Sequence, residues 1–432
     1  MVDNRFVQCN YCSTKIRLRF QLGFFNIPFD ICCPKCGVHF HGEMKIVDET
    51  SFRIYNASPI VCSIDDVDYY ADLSVELPCK KIEPYNSEKQ ILEAGFSPFL
   101  STHSLMGSDA YLKVAREVGA LLRFRSCGWQ QLSPLYNLYF AGNASLAKDH
   151  FLNYSSAYVV ENELDASMAL HQLTLFGLSH MLPSDTMQQY MACSNSILKE
   201  VGLRKVVEFI SILGGSQRLN DLSKKVFKQY TRWFEDIEKY IPAIMLSLSH
   251  STSEVDKTKV GISTSSFEDM ISFYADSYEV VLEMIGVAVG LNNIIVRNDF
   301  NAFHPNTKLQ DYKAFSNLVK SQRINALIEE EPFSKSIPIQ RHVRNAIAHY
   351  DYEYDRNTQV IQFHDQYKGK ENTVELYLLD LALLCYENIQ VVVYLNELLY
   401  NLKKVDYIQN GMKLHIKAIS GDDANISLLF NQ

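Results

Sequence analysis

The sequence predicts a mainly α-helical protein that begins with a small β-rich segment and ends in a helical bundle with a β-hairpin. Apolar residues recur at helical spacing through most of residues 87–250 and 267–405. They alternate with polar residues in the first 86 positions and again in residues 350–363. Apolar types make up 47% of the 432 residues and charged types 21%, which is the usage of folded globular proteins. A chain of this length is expected to form roughly two to four domains.

The first 86 residues divide into two predicted β-rich segments. Residues 1–45 contain an alternating apolar stretch that includes Ile16, Leu18 and Phe20, and we expect a small β unit there. Residues 46–86 contain shorter alternating runs that end in prolines, and we interpret them as a β-rich connector.

The centre of the chain changes to helical spacing. Residues 87–250 are predicted to form a helical middle domain, in which we find no catalytic motif. His171 and His180 lie there among leucine, phenylalanine and methionine, and we expect them to be packed core residues rather than ligands. Residues 251–266 are rich in serine and threonine and are predicted to form a linker.

Residues 267–405 are predicted to form a C-terminal helical domain, followed by a tail at 406–432. The apolar pattern predicts four helices, at residues 267–296, 309–330, 339–349 and 374–402. A β-hairpin is expected between the third and the fourth helix. Its side chains alternate strictly between two faces. We expect one face, with Tyr350, Tyr352 and Tyr354, to point inward. We expect the other face, with Asp351, Glu353 and Asp355, to point to solvent.

The strongest motif is a pair of Cys-x-x-Cys turns near the N-terminus. The four cysteines are Cys9, Cys12, Cys33 and Cys36. Their spacing resembles that of zinc ribbons over about residues 7–42, and Gly37 after the second pair permits the positive φ that such turns often need. The resemblance implies a structural zinc ion with four thiolate ligands and no catalytic position, in a small N-terminal β zinc ribbon at residues 1–45.

Other interpretations of these cysteines stay open at this point. Cys32 directly precedes the second cysteine pair and offers a further thiol. Either His39 or His41 could replace one of the four thiolate ligands. A redox dithiol and unligated cysteines are weaker alternatives, since no thioredoxin-like context surrounds the pairs. A metal-binding use of the cysteines favours a reducing compartment, so we expect a cytoplasmic protein.

The charge and the sequence pattern exclude several classes of function. With 41 basic and 50 acidic residues the formal charge is −9, which argues against a general nucleic-acid coat but leaves a local basic groove open. We expect no signal peptide, because the first residues lack a long apolar stretch. We also expect no membrane span, since the most apolar run, at 280–296, contains Glu283, Asn292 and Asn293.

A second motif lies in the third helix of the C-terminal domain. Arg344 and His349 are separated by four residues, and Asn345 directly follows the arginine. Within a helical region near the C-terminal end of the chain, this arrangement resembles the HEPN superfamily, over about residues 265–405. Many members of that family are RNA-cutting enzymes of toxin, antiviral and stress systems. The resemblance implies an HEPN-like bundle, RNA as substrate, a homodimer, and Arg344, Asn345 and His349 as catalytic residues.

The chemistry of these residues suits RNA cleavage without a metal. RNA carries its own nucleophile, the 2′-hydroxyl, so cleavage needs a base, an acid and positive charge on the phosphate. Histidine suits the proton transfers, and Arg344 stays charged and can bind a phosphate through two hydrogen bonds. On a regular helix Arg344 and His349 point about 140° apart, so a turn at the helix end is needed to bring them together. His342, Asn345 and His349 share one face.

The leading hypothesis is therefore a metal-independent endoribonuclease of a bacterial defence or toxin-type system. The alternative is a non-catalytic adaptor, in which the zinc ribbon and an inactive helical domain bind RNA or a partner protein. In that case Arg344 is an ion-pairing residue and His349 a cation at a helix end. A similar spacing at Arg297 and His304 ranks lower because it runs into Pro305. A zinc-dependent hydrolase is disfavoured, since no His-Glu-x-x-His pattern occurs.

Overall fold

The computed structural model describes residues 2–46, 50–86, 98–197, 202–334, 337–338, 340–367, 370–416 and 429. The chain divides into two units. The first consists of Met1–Val118, Asp236–Ala275 and Gln340–Tyr386, and the second of Gly119–Glu235, Asp276–Ile339 and Glu387–Gln432. The predicted boundaries after residues 86 and 250 both fall inside the first unit.

The N-terminal part of the first unit forms two main β-sheets. The strands are β1 (Val2–Cys9), β2 (Lys15–Gln21), β3 (Ile27–Cys32), β4 (His39–Lys45), β5 (Ser51–Ile54), β6 (Ala57–Pro59), β7 (Tyr69–Leu73), β8 (Cys79–Lys80) and β9 (Glu83–Pro84). One sheet has the order β6-β1-β2-β7-β9, and the other has the order β3-β4-β5. The hairpins β1–β2 and β3–β4 are both antiparallel, and each carries one of the two Cys-x-x-Cys turns.

The two predicted β segments share these sheets. Strand β2 pairs in parallel with β7, which places Leu18 opposite Ala71, and β4 pairs with β5. Ile16, Leu18 and Phe20 have no exposed surface, as their alternation predicts. Strands β5, β6, β7 and β9, which fall within the predicted connector, therefore belong to the two N-terminal sheets.

Much of the segment at 251–266, which the sequence predicts to be a linker, is packed. Strand β10 (Val260–Gly261) pairs with β8, and Ile262 and Ser263 are buried. The carbonyl of Ser263 accepts a hydrogen bond of 2.7 Å from the amide of Asp30 in β3. Small hydroxyl residues suggested a solvated linker, but here they fit against neighbouring backbone.

Helices make up most of the rest of the protein, which confirms the mainly α fold class. The helices outside the C-terminal motif are α1 (Pro98–Met106), α2 (Ser108–Arg123), α3 (Gln130–Phe140), α4 (Lys148–Leu152), α5 (Glu163–Leu178), α6 (Ser184–Ser196), α7 (Leu203–Leu213), α8 (Gly215–Asp236), α9 (Ile241–Leu248), α10 (Phe267–Arg297), α11 (Tyr312–Ser316) and α12 (Lys320–Arg323). A π-helix at Phe124–Trp129 joins α2 to α3.

The predicted long helix at 309–330 is wrong, since the short helices α11 and α12 and a 3₁₀ turn at Ile324–Ala326 form there. The Arg323 side chain folds back and donates to the carbonyls of Ser316 and Leu318, which closes the turn between the two helices. Tyr312 and Phe315 are buried, so the apolar residues that suggested a long helix instead fill the core from short turns.

The C-terminal motif region contains the remaining elements. These are α13 (Arg341–His349), β11 (Tyr352–Asp355), β12 (Val360–Tyr367), β13 (Lys370–Tyr377) and α14 (Leu378–Gln409). The predicted hairpin is confirmed, but β13 extends it to a three-stranded antiparallel sheet. The predicted start of the last helix at 374 is wrong, because a carboxylate oxygen of Asp380 accepts from the amide of Tyr377 and begins the helix at Leu378.

The inward tyrosine face of the hairpin is confirmed for two of its three members. Tyr352 and Tyr354 pack against Phe267, with ring centroids 5.3 and 4.5 Å apart. Tyr350 is instead 84% exposed, because it takes a left-handed conformation with φ of 57° at the end of α13. The carboxylates of Asp351, Glu353 and Asp355 face solvent, as predicted.

Two helices, α10 and α14, are long and apolar enough to cross a membrane by length and composition. In their most apolar stretches 72% and 83% of the residues, respectively, are buried inside the protein, as in the core helices of a soluble fold. The absence of a membrane span therefore stays a prediction.

Candidate functional site

The four predicted metal-ligating cysteines lie close together. The Sγ atoms of Cys9 and Cys36 are 3.6 Å apart, those of Cys12 and Cys33 are 3.5 Å apart, and all four lie within 4.8 Å of one another. A tetrahedral zinc ion with Zn–S bonds of about 2.3 Å requires S–S distances of about 3.8 Å. The four thiols therefore fit a single metal ion of this kind.

The two cysteine turns have the same backbone geometry. The amide of Ser13 donates to the carbonyl of Cys9 at 3.0 Å, and the amide of Gly37 donates to the carbonyl of Cys33 at 2.8 Å. Both Ser13 and Gly37 have positive φ, of 60° and 75°, which confirms the prediction for Gly37. Because each turn folds in the same way, each directs its two sulfurs toward the same point.

The chain also supplies hydrogen bonds that favour thiolates. Backbone amides following Cys9 and Cys33 point at these two sulfurs and oppose the rise in pKa that burial causes. The hydrogen bond from the Thr14 hydroxyl, at 3.1 Å, lowers the pKa of Cys12 to about 6. Metal binding requires deprotonated thiols, so these bonds suit the donor set.

The alternative ligands lie elsewhere. Nδ1 of His39 contacts a carboxylate oxygen of Asp30 at 3.1 Å, and the His41 ring stacks on Tyr55 with centroids 4.8 Å apart. Burial raises the pKa of Cys32 to about 11, so this thiol is protonated at neutral pH. Among the described residues, the cluster that could hold a metal consists of the four predicted cysteines.

The second candidate site is on helix α13. Val343, Ala346 and Ile347 form its buried face, which follows from their helical spacing. His349 ends the helix with an exposed side chain, and no hydrogen bond or ion pair involves its ring within the described parts of the chain. Arg344 is half-buried. The helix stays regular to His349 and turns only at Tyr350, so the bend expected to bring Arg344 and His349 together lies one residue too late.

A buried carboxylate from strand β12 joins this site. Asp365 is 6% exposed, and its Oδ2 atom lies 2.7 Å from Nδ1 of His342. The Asn345 side-chain amide donates to both carboxylate oxygens of Asp365 at 3.4 and 3.5 Å. Arg344 in turn donates to the Asn345 side-chain oxygen at 3.5 Å. The structure therefore brings Arg344 and Asn345 together with His342 and Asp365, whereas His349 lies outside this network.

The sequence around Asp365 indicates that this residue is buried, although it lies outside the motif of Arg344, Asn345 and His349. Ile361, Phe363 and Asp365 alternate along β12, and all three are buried. An acidic residue in phase with two buried apolar residues needs a partner inside the protein. His342 supplies that partner, and it shares a helix face with Asn345, as predicted.

This arrangement can transfer protons. A carboxylate that holds Nδ1 of a histidine fixes the ring orientation and leaves Nε2 for another partner. The His342 side chain is 34% exposed, so its ring is partly open to solvent. With the Arg341 and Arg344 guanidinium groups and the His349 imidazole, the helix carries two histidines and two permanent positive charges.

No family model matches this chain, and comparisons with curated proteins and with solved structures found no match either. The functional assignment therefore depends on the chain's own residues.

Proposed function

We propose that this protein is a metal-independent endoribonuclease whose active site is the exposed edge of helix α13. The observation that carries the proposal is that helix α13 carries His342, Arg344 and His349, with His342 held by a buried carboxylate. The resemblance of the Arg344, Asn345 and His349 motif to the HEPN superfamily supports the same activity.

The reaction uses groups that the site supplies. The oxygen of a ribose 2′-hydroxyl attacks the adjacent phosphorus, and its proton passes to an imidazole. The bond between phosphorus and the 5′-oxygen breaks, and a second imidazole donates a proton to that oxygen. The products are a 2′,3′-cyclic phosphate and a 5′-hydroxyl. Arg344 stabilises the negative charge that builds up on the phosphate oxygens.

We assign the two proton transfers to His349 and His342. One imidazole cannot conveniently act as base and acid in the same step, so a second one is needed. His342 and His349 are on the same helix face, about 10.5 Å apart along the axis for seven residues of rise. Asp365 holds the ring of His342 so that Nε2 is available. The Asn345 amide donates to both oxygens of the same carboxylate, so Asn345 is a positioning residue.

The proposed homodimer and the metal site have supporting roles. A dimer, which the family resemblance implies, would bring two such sites together, and the His349 of the second copy is the alternative source of the second proton transfer. Four thiolates leave a bound zinc ion without an open position, so we assign it a structural role. A cytoplasmic location in a defence or toxin-type system is part of the same proposal.

The test is RNA cleavage by the purified protein. We expect cleavage of an RNA oligonucleotide but not of the DNA of the same sequence, because DNA lacks the 2′-hydroxyl. His349→Ala should lower the cleavage rate by about 10²- to 10⁴-fold, which is the usual contribution of acid–base catalysis. The matched control is His304→Ala, which removes the histidine of the similarly spaced pair with Arg297 and should leave the rate unchanged.

The outcomes separate the enzyme from an adaptor. If the His349→Ala variant is folded by circular dichroism and cuts RNA as fast as the parent, the assignment of His349 is wrong. If the parent binds RNA without cutting it and His349→Ala binds equally well, the protein is a non-catalytic adaptor.

A further inference from the structure

The second unit contains a small cavity beside helix α14. Its volume is about 40 Å³. A site of roughly 10–15 Å³ on this scale holds one water molecule, so the cavity has room for about three waters or one small ion. Six aromatic side chains contribute to its wall, namely Tyr136, Tyr139, Phe140, Phe227, Tyr230 and Tyr400. One cationic side chain, that of Lys403, lines the same cavity.

Lys403 is unusual because its side chain is buried and its amine has no hydrogen-bond acceptor among the described residues. Its residue surface is 4% exposed, and within the described residues its Nζ atom has no hydrogen-bond partner. The amine lies over the ring faces of Tyr139 and Tyr407, at 4.8 and 5.7 Å from their centroids. Such contacts offset part of the cost of burying an ammonium group, but they satisfy none of its three N–H donors.

Two carboxylates of helix α14, those of Glu397 and Asp406, are engaged by other groups. Glu397 contacts Nε2 of His171 at 2.7 Å and accepts from the Asn401 amide at 2.7 Å. His171 is itself buried, as predicted for a core histidine. Asp406 accepts from Ser216 at 2.9 Å and from Asn410 at 3.4 Å.

Further positive charge lies near Lys403. Lys404 lies over the ring of Tyr400 at 4.5 Å, and Lys224 repels the charged form of Lys403. Burial lowers the pKa of Lys403 to about 7, and the nearby charge of Asp406 opposes this shift. A negative ion in the cavity would supply the missing acceptor and a second negative charge.

We propose that this cavity binds a small oxyanion, with Lys403 as its counter-ion. A phosphate or carboxylate group presents several acceptor oxygens to the unmatched N–H groups of the lysine. The size of the cavity excludes a whole nucleotide and admits only the anionic group itself. The aromatic wall restricts water, so a single charge pair there contributes more than it would at the surface. This site belongs to the second unit and does not depend on ribonuclease activity.

The experiment is calorimetric titration of the full chain with inorganic phosphate and, separately, with acetate. Chloride at matched ionic strength is the reference. We expect one binding site per chain for at least one of the two probes, and the probe that binds distinguishes a phosphate site from a carboxylate site. Lys403→Met keeps the length and apolar stem of the side chain but removes the amine. It should weaken binding by roughly 10- to 100-fold, which is the usual effect of losing a hydrogen bond to a charged group.

Lys404→Met is the matched control, because it removes the neighbouring ammonium group and leaves Lys403 in place. Binding to this variant should change by less than binding to Lys403→Met. The proposal is wrong if the parent binds neither probe, or if Lys403→Met binds as tightly as the parent.

The unaltered chain provides a second readout that does not depend on the folding of a variant. In protein labelled with ¹³C at the lysine Cε, titration with the probe should shift the resonance of a buried lysine and hold it in the charged form. If no buried lysine responds at saturating phosphate or acetate, the cavity is not an oxyanion site.

Discussion

The cysteine cluster and the α13 site differ in how far apart their members are along the chain. Each half of the cysteine cluster is a single turn, in which Cys9 and Cys12, or Cys33 and Cys36, are three residues apart. The α13 site joins one helix to Asp365, which follows Asn345 by 20 residues and lies on another element. A site built from short turns can be predicted from spacing, whereas a site completed by a second element needs the tertiary structure.

The two sites also differ in what they contribute. In the cysteine cluster Cys9 and Cys33 are buried, and four thiolates would leave a bound metal ion without an open position, so we expect the cluster to contribute folding energy. The α13 site keeps His342 partly exposed and His349 exposed, so its side chains are available to a substrate. We therefore expect changes in the first region to affect stability and changes in the second to affect rate.

The largest expected effect is from Cys33→Ser. Structural zinc sites contribute about 10–16 kcal/mol of binding free energy that also stabilises the fold. We expect this variant to lose its bound zinc and to unfold at a much lower temperature than the parent. Zinc content by elemental analysis and thermal unfolding by circular dichroism measure the two effects.

Cys32→Ser is the matched control, because it changes the adjacent thiol outside the cluster. It should retain one zinc ion per chain. Loss of zinc from Cys32→Ser together with retention by Cys33→Ser would contradict the ligand assignment.

The next effect is from His342→Ala. Loss of the second proton-transfer group should lower RNA cleavage by about 10²- to 10⁴-fold. The change also leaves the Asp365 carboxylate without its histidine, at a cost of about 1–3 kcal/mol in the free energy of unfolding. Single-turnover cleavage and urea unfolding measure these quantities separately. If the rate is unchanged, the partner copy's histidine or another group performs this step.

A smaller effect is expected from Asp365→Asn. The amide keeps the shape of the side chain but removes the negative charge that orients His342. Cleavage should slow by less than in His342→Ala, because the imidazole is still present but has lost the carboxylate that orients it. An unchanged rate would show that Asp365 only supports the fold.

The smallest expected effect is that of His349→Ala on stability. The side chain is exposed and has no partner among the described residues, so the free energy of unfolding should change by no more than about 0.5 kcal/mol. Urea unfolding checks this value. A loss of several kcal/mol would indicate a structural role for the residue and weaken the contrast with the cysteine cluster.

Several parts of the fold could be predicted because their signals are local. The Cys-x-x-Cys turns, the positive φ of Gly37 and the alternation of Tyr352 and Tyr354 all depend on a few neighbouring residues. The long helix α10 was predicted to within one residue, from its apolar spacing.

The parts that could not be predicted depend on distant partners. Ser263 suggested a solvated linker, yet its carbonyl pairs with the amide of Asp30, more than 200 residues away in sequence. Asp365 was missed because it lies two residues beyond the predicted end of the hairpin, and its polarity suggested solvent. Only the structure shows that His342 and Asn345 meet it.

The most direct test of the central claim is the chemistry of the RNA ends. The purified protein should cut an RNA oligonucleotide to give 2′,3′-cyclic phosphate and 5′-hydroxyl ends, as detected by mass spectrometry, and a 2′-deoxy substitution at the cleaved position should abolish the cut. Ends that carry a 3′-hydroxyl and a 5′-phosphate, or cutting that survives the 2′-deoxy substitution, would contradict the account.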